Sequence, residues 1–373
     1  MKLNNLKVAL VHDWLTGMRG GEKVLEAICE IFTEADLYTL VYIPNSVSKI
    51  IQNRRIYTSF IQKLPDVEKN YRYFLPLMPL AISQFDLSNY DLVISSSHCV
   101  AKGVKVGKTT LHICYCHTPM RYIWDMYELY FGSASNTSVL VKLIMKILRK
   151  PLQIWDIKTA QNVDFFISNS NNVKERIKRI YNRDAVVIYP PVDVNFFSLS
   201  TPLNYDCLNI NNYYLVVSAF APYKKIDIVI EAFKKLKRNL KIVGCGQQEK
   251  YLKSLAEGFK NIEFLGWLDN EKLRCLYQHA KALIFPTEED FGIVPVEAQA
   301  AGVPVIAYRK GGVLETVTEE TGVFFDNQTP EDIIEAVLKF ENLSFDPKKI
   351  KQQALKFSKE RFIKEFKEFI QHL

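Results

Sequence analysis

The sequence predicts an α/β protein built from two doubly wound domains, and three observations carry that expectation. Short apolar runs alternate with amphipathic helical stretches along the chain, the pattern of parallel strands joined by crossover helices. The alternation breaks at Pro190-Pro191 and a polar, aperiodic stretch over 198–212, then restarts at Tyr213. Finally, 373 residues are too many for one comfortable core and suit two domains. The expected domains are 1–197 and 198–350, followed by a terminal helix over 351–373 with Phe362, Phe366, Ile370 and Leu373 at helical spacing.

Apolar content of 48% places the chain among globular proteins, and the net charge of +7 is moderate. Seven cysteines, an odd number without disulfide-like spacing, fit a reducing cytoplasm. Leu6 to Val11 is a strand rather than a signal segment, and no apolar stretch nears the ~20 residues of a spanning helix. Any membrane contact is therefore expected to be peripheral, at the inner face of the plasma membrane.

The first strand, Leu6–Val11, runs into a glycine-bearing turn over 12–21 and an amphipathic helix over 22–32 with Val24, Leu25, Ile28 and Ile31 on one side. Such a βα unit opens a helix N-terminus over a crevice. The Gly20-Gly21 pair is not a Gly-x-Gly-x-x-Gly fingerprint, so no dinucleotide site is predicted. Strands follow at 36–42 and 90–95. Between them, basic residues (Arg54, Arg55, Lys63, Lys69, Arg72) interleave with aromatics (Tyr57, Phe60, Tyr71, Tyr73, Phe74). That mixture suits nucleic acid, an anionic lipid surface or a plain solvated face. No nucleic-acid motif accompanies it, so lipid is preferred over nucleic acid.

In the strand over 110–116, alternation puts His112, Cys114 and Cys116 on one side, with His117 at the carboxyl end. Carboxyl ends of parallel strands face the ligand crevice, which makes His117 a candidate, and His98 stands in a similar setting. A metal site from Cys114, Cys116 and His117 is not expected, because Cys-x-Cys within one strand lacks the geometry of a zinc turn. The stretch 139–155 is a basic amphipathic helix interrupted by Pro151, suited to an anionic membrane or to an ordinary surface. In the second half, Lys224 and Lys225 precede a helix over 226–236, where a lysine offers a mobile charge to a diphosphate.

The most informative stretch begins after the strand 281–286. An acidic loop, Thr287-Glu-Glu289-Asp-Phe291-Gly292, leads into a helix with proline in its first turn and Glu297 on it, stopped by Gly302. A helix start offers unpaired amides to phosphate or sugar oxygens, and a carboxylate can accept from two neighbouring hydroxyls.

Glu289-x7-Glu297 with its Phe291-Gly292 and the trailing Gly302-x-Pro304-Val-Ile resembles the signature of the retaining nucleotide-sugar glycosyltransferases of family 4. Cys116-His117-Thr-Pro-Met-Arg-Tyr-x-Trp-Asp125 resembles a segment of bacterial mannosyltransferases of O-antigen and exopolysaccharide assembly. The resemblance implies the GT-B architecture, two Rossmann-like domains facing a cleft, with the terminal helix crossing back to the first. It implies a nucleotide-diphosphate sugar, GDP-mannose foremost with UDP- or dTDP-sugars open, used without metal or cofactor. The acceptor would be a lipid-linked oligosaccharide or glycan.

Carried over residue by residue, Glu297 would bind ribose hydroxyls and Glu289 the hexose. Gly20, Gly21, Lys224 and the amides near Gly292 and Ile293 would hold the diphosphate, and Phe291 and Val294 would belong to the same donor site. Gly266 and Trp267 would frame the nucleobase, His117 would orient the sugar, and Asp13 would meet the acceptor hydroxyl. One departure is that the family's usual arginine is here Ala219; either Lys225 or a first-domain basic residue such as Arg19 would supply the missing charge, or diphosphate affinity would be lower. A sugar-nucleotide epimerase of the same fold and a silent glycan-binding scaffold are the rival readings.

Overall fold

The computed structural model of the chain describes residues 6–132, 137–200 and 212–373. By contact, the chain divides into two compact units, Met1–Pro191 with Phe362–Leu373, and Val192–Arg361. The division falls at Pro191 rather than at 197 for a local reason. Val192 N–H donates to the Phe357 carbonyl at 3.0 Å, and the short helix Val194–Ser198 buries Val194 and Phe197 inside the second unit. The predicted linker over 198–212 lies largely outside the described residues, at 201–211.

The first unit is built on seven parallel strands: β1 (Val8–His12), β2 (Asp36–Thr39), β3 (Ile56–Thr58), β4 (Leu92–Ser97), β5 (Leu111–Cys116), β6 (Phe165–Ser168) and β7 (Ala185–Val187). Their order is β3-β2-β1-β4-β5-β6-β7. Every residue of β1 and β4 is buried, which a parallel sheet covered on both faces requires. Val24, Leu25 and Ile28 of the helix Gly20–Ile31 pack on one face together with Phe362, Phe366 and Ile370 of the last helix, Lys359–Gln371. The 3.6-residue spacing of that last helix thus finds its core in the first unit, although its chain arrives from the second.

The second unit repeats the plan with β8 (Tyr213–Val217), β9 (Asn239–Val243), β10 (Ile262–Gly266), β11 (Ala280–Phe285), β12 (Val305–Tyr308) and β13 (Gly322–Phe325), all parallel. The order is β10-β9-β8-β11-β12-β13. Both units are therefore doubly wound. The strand order reverses between β1 and β4 in one, and between β8 and β11 in the other. Among the described cysteines, Cys29, Cys99, Cys114, Cys116 and Cys245 are free thiols.

The helix Val139–Ala160 runs through Pro151 instead of ending there. Proline removes one i→i−4 hydrogen bond, and a buried anchor in the next turn offsets that loss. Asp156 is fully buried. It pairs with Lys102 and accepts from Trp124 Nε1 at 2.8 Å and Tyr181 Oη at 2.9 Å. Burial alone would drive the Lys102 ammonium toward neutrality, but the Asp156 carboxylate reverses the effect and holds its proton more firmly than usual. Removing one member leaves an uncompensated buried charge. Asp156→Ala is therefore expected to destabilise the fold by about 3–5 kcal/mol in denaturant unfolding. A change under about 1 kcal/mol would contradict the anchoring role.

Candidate active site

In a doubly wound sheet the connections on either side of the reversal leave toward opposite faces and open a crevice at the carboxyl ends of the strands. In the first unit those ends carry His12 (β1), Ser96 and His98 (β4 and just beyond) and His117 (after β5). In the second they carry Ala219 and Lys224 after β8 and the acidic loop after β11.

Three imidazoles gather at the first crevice, with ring centroids 6.0–6.3 Å apart. The β1–β4 register sets His12 beside Ser96, whose Oγ lies 3.0 Å from His12 Nδ1 and 2.8 Å from His117 Nε2. Gly21 closes the group from the helix start: a Cβ there would sit 3.4 Å from His12 Cε1 and 3.5 Å from His117 Nε2. The helix Gly20–Ile31 thus begins beside the imidazoles. Its third residue, Glu22, accepts from Arg19 N–H at 3.1 Å.

Asp13 has a different place from the one the sequence suggested. It is fully buried, and its carboxylate accepts from the backbone amides of His98 (2.7 Å), Cys99 (3.0 Å), Val100 (2.6 Å) and Ala101 (2.7 Å). His98 Nδ1 lies 3.0 Å from the same carboxylate. A group so committed is not presented to an acceptor hydroxyl. Asp13 instead fixes the turn after β4 and, through it, His98.

In the second unit the acidic loop is tied on two sides. Thr287 Oγ1 donates to the Tyr223 carbonyl (3.0 Å), joining the loop to the turn Pro222–Lys224. Gly312 N–H donates to the Glu289 carbonyl (2.8 Å). A Cβ on Gly311 would fall 2.4 Å from Glu289 O and one on Gly312 2.3 Å from Asp290 O, so only glycines let the Gly311-Gly312 turn lie against this loop. Within the frame, Lys224 Nζ pairs with Glu289 Oε1. The diphosphate candidate and the hexose candidate are thus partners of one another. Lys225, half-buried, caps the helix Ile226–Leu236 in the left-handed region at φ 54°.

Gly292, at φ 86°, takes the left-handed conformation that starts the helix Ile293–Ala300, whose first residues Ile293 and Val294 are half-buried. The Phe291 ring turns inward against Phe357 (5.5 Å) and leaves the backbone at the loop. Glu297 is only 5% exposed, and Tyr277 Oη donates to its Oε2 at 3.2 Å. Burial, with that carboxylate second, pushes the Tyr277 phenol well up, so it remains a donor. Gly266 ends β10 at φ 69°, its carbonyl bound by Gly244 N–H at 2.8 Å, and the next residue, Trp267, is 75% exposed. Ala219 is exposed, so it leaves the arginine's usual place uncrowded.

His12, Ser96 and Tyr277 were not among the sequence candidates. The carboxyl-end argument that selected His117 applies equally to His12. Ser96 and Tyr277 carry no local signal. Among the described residues, no group of three or more His, Cys, Asp or Glu could hold a metal ion. A cavity of about 630 Å³ lies at the amino ends of β8, β9 and β11, beside Asn212, Asn239 and Lys281, away from both crevices.

Two family profiles match the chain. Glycosyltransferase Family 4 covers residues 18–196 and Glycosyl transferases group 1 covers 209–357. An uncharacterised glycosyltransferase of Methanocaldococcus jannaschii is 30% identical over 53% of this chain, a match that spans only 55% of that relative. The alpha-1,3/1,6-mannosyltransferase ALG2 of Dictyostelium discoideum is 25% identical over 80% of this chain and 77% of its own. The O-antigen chain mannosyltransferase RfbU of Salmonella typhimurium is 27% identical over 72% and 67%. Among solved structures, Anabaena HepE in complex with UDP superposes at a TM-score of 0.70 over 98% of this chain and 100% of its own, at 16% identity. The shared fold is GT-B.

Burial lowers the pKa of His98, and of His117 well below the ordinary value, and takes His112 to about 4. Unfolded histidine titrates near 6.5, so the folded chain binds fewer protons below that pH. Stability is therefore full above about pH 6.5 and falls as pH drops toward the folded values, by about 3 kcal/mol from His112 alone at pH 4. Unfolding measured from about pH 7.5 to 5 should show this loss, with a shallower slope in His112→Asn. A flat profile would contradict the neutral, buried imidazoles.

Proposed function

Because this chain belongs to the glycosyltransferases, family 4 through its first half and group 1 through its second, we propose that it transfers a hexose with retention from a nucleotide-diphosphate sugar, GDP-mannose foremost. The acceptor is a lipid-linked oligosaccharide or glycan of bacterial surface polysaccharide assembly. One observation carries the reading: the Lys224–Glu289 pair is held by the Thr287 and Gly312 ties beside the helix start that leads to Glu297.

An entering diphosphate competes with Glu289 for Lys224, and the freed carboxylate is then available to sugar hydroxyls. The bond between the anomeric carbon and the diphosphate oxygen breaks while the acceptor oxygen bonds on the same face. The acceptor proton passes to the departing phosphate. Charge grows on that leaving group, so Lys224, Lys225 and the amides at Gly292–Val294 act where rate is most gained. We read the step as metal-independent. GDP-mannose is favoured over UDP-sugars because relatives matched over most of this chain are named mannosyltransferases.

The membrane side of the proposal rests on the helix Val139–Ala160. Its second half is pinned by Asp156, while its first half shows Val139 (82% exposed), Leu140 (66%), Leu143 (56%) and Ile147 (66%) among Lys142, Lys146 and Lys150. Apolar side chains beside lysines complement the interface of an anionic bilayer. No helix of the described residues is long and apolar enough to cross a membrane.

Thermal unfolding with GDP-mannose, UDP-glucose and a dTDP-sugar tests the donor. GDP-mannose at a hundredfold excess over its Kd should stabilise by about 2.7 kcal/mol. Glu297→Ala should weaken that binding by about 1–3 kcal/mol. A shift with UDP-glucose alone would replace the donor, and no shift with any nucleotide sugar would overturn the transferase reading. Separately, the protein should sediment with phosphatidylglycerol vesicles and not with phosphatidylcholine vesicles, and Ile147→Glu should abolish the difference. Equal sedimentation with both would refute charge-assisted docking.

A further inference from the structure

The histidine cluster contains a chain of polar groups with only one comfortable polarity. Its starting point is Glu22, which is nearly inaccessible and whose Oε2 is occupied by the Arg19 amide. Its Oε1 faces His12 Nε2 at 3.9 Å, a charge–dipole contact rather than a hydrogen bond, and among the described residues His12 Nε2 has no hydrogen-bond partner. Beyond His12, the order is Nδ1, then Ser96 Oγ at 3.0 Å, then His117 Nε2 at 2.8 Å.

A serine hydroxyl has one proton, so it donates to one imidazole and accepts from the other. If the Nε2 lone pair of a neutral His12 faced Glu22, lone pair would meet carboxylate in a site almost without water. With the proton on Nε2, the N–H dipole points at the anion instead. Low local dielectric makes the difference between the two orientations large. We propose that Glu22, through His12 and Ser96, fixes His117 in its Nε2–H tautomer. His12 keeps its proton on Nε2 and accepts the Ser96 hydroxyl at Nδ1. Ser96 in turn accepts His117 Nε2–H, and His117 Nδ1 is left as a hydrogen-bond acceptor.

Glu22, His12 and Ser96 are thus positioning residues for His117. Around His117 also lie the Tyr115 ring (5.2 Å), whose phenol donates to the Ile188 carbonyl, and two groups that bear on its charge: His98, already paired with Asp13, and Arg121. Both oppose a second proton on His117, as does its burial, so the ring is neutral and its tautomer is what the relay decides. The carboxylate end of the relay keeps its charge: burial, the largest influence, raises the Glu22 pKa, but His12, the backbone hydrogen bond and His98 together outweigh it and the net shift is downward. Gly21 borders the arrangement: a Cβ there would lie in van der Waals contact with both rings. What meets Nδ1 rests on the transferase reading. An acceptor nitrogen selects a donating group, which a sugar hydroxyl is and a phosphate oxygen is not.

The tautomer is measured on the full chain with 15N-labelled histidine, by long-range proton–nitrogen correlation, without donor and at about pH 8, above the ordinary imidazole range. His12 and His117 are expected as Nε2–H tautomers. Ser96→Ala should convert His117 to a mixture, Ser96→Thr should restore it, and Glu22→Gln should release both rings, each variant checked for native circular dichroism. An Nδ1–H tautomer of His117 in the unsubstituted protein would overturn the proposal. So would an unchanged His117 in a folded Ser96→Ala or Glu22→Gln. The readout needs no turnover, so failure of the donor experiment and failure of the relay remain separate results.

Discussion

In each unit two adjacent parallel strands, β1 and β4 or β8 and β11, send their connections to opposite faces of the sheet. Backbone at that gap has no following strand to pair with, and most of the polar chemistry described above gathers there. A parallel sheet buried on both faces has few other places where charged side chains can approach solvent. His12, His98 and His117 in one unit and Lys224 and Glu289 in the other are consequences of that single constraint.

Carboxylates in this chain divide into two kinds by what surrounds them. Asp13 and Asp156 are wholly enclosed by donors, four backbone amides in one case and a lysine, an indole and a phenol in the other. Such groups hold segments in place, since a buried anion is tolerated only when its acceptor capacity is filled. Glu289 is partly exposed and held by one flexible lysine, an arrangement that a ligand can rearrange. Glu297 lies between these extremes, buried beneath the helix start but reached by Tyr277. A carboxylate's surroundings, more than its presence in a motif, separate a strut from a binding group.

The site loops are shaped by backbone proximity as much as by side chains. Gly311 and Gly312 lie where any Cβ would strike the backbone of Glu289 or Asp290. At Gly244 a Cβ would fall 1.8 Å from the Ser218 carbonyl. Gly311 and Gly312 let the β12 connection lie against the β11 loop, and Gly244 lets the β9 connection lie against the end of β8, so the loops that carry Glu289 and Lys224 rest on residues that carry no chemistry themselves.

Much of this was legible in the chain itself. Two runs of alternating strands and helices with a proline break specify two doubly wound units, because periodicity and turn chemistry are local properties. Glu289, Phe291-Gly292 and Glu297 announced a strand–loop–helix segment for the same reason. What the tertiary structure decided was partnership. Asp13 as a clamp on residues 98–101, Ser96 between two histidines, Tyr277 on Glu297, and Lys224 against Glu289 all join residues distant in sequence. Their meeting is set by strand register and sheet order, which no window of sequence contains. The last helix shows the same limit: its apolar spacing fixed that it must be buried, and only the folded chain determined that its core belongs to the first unit.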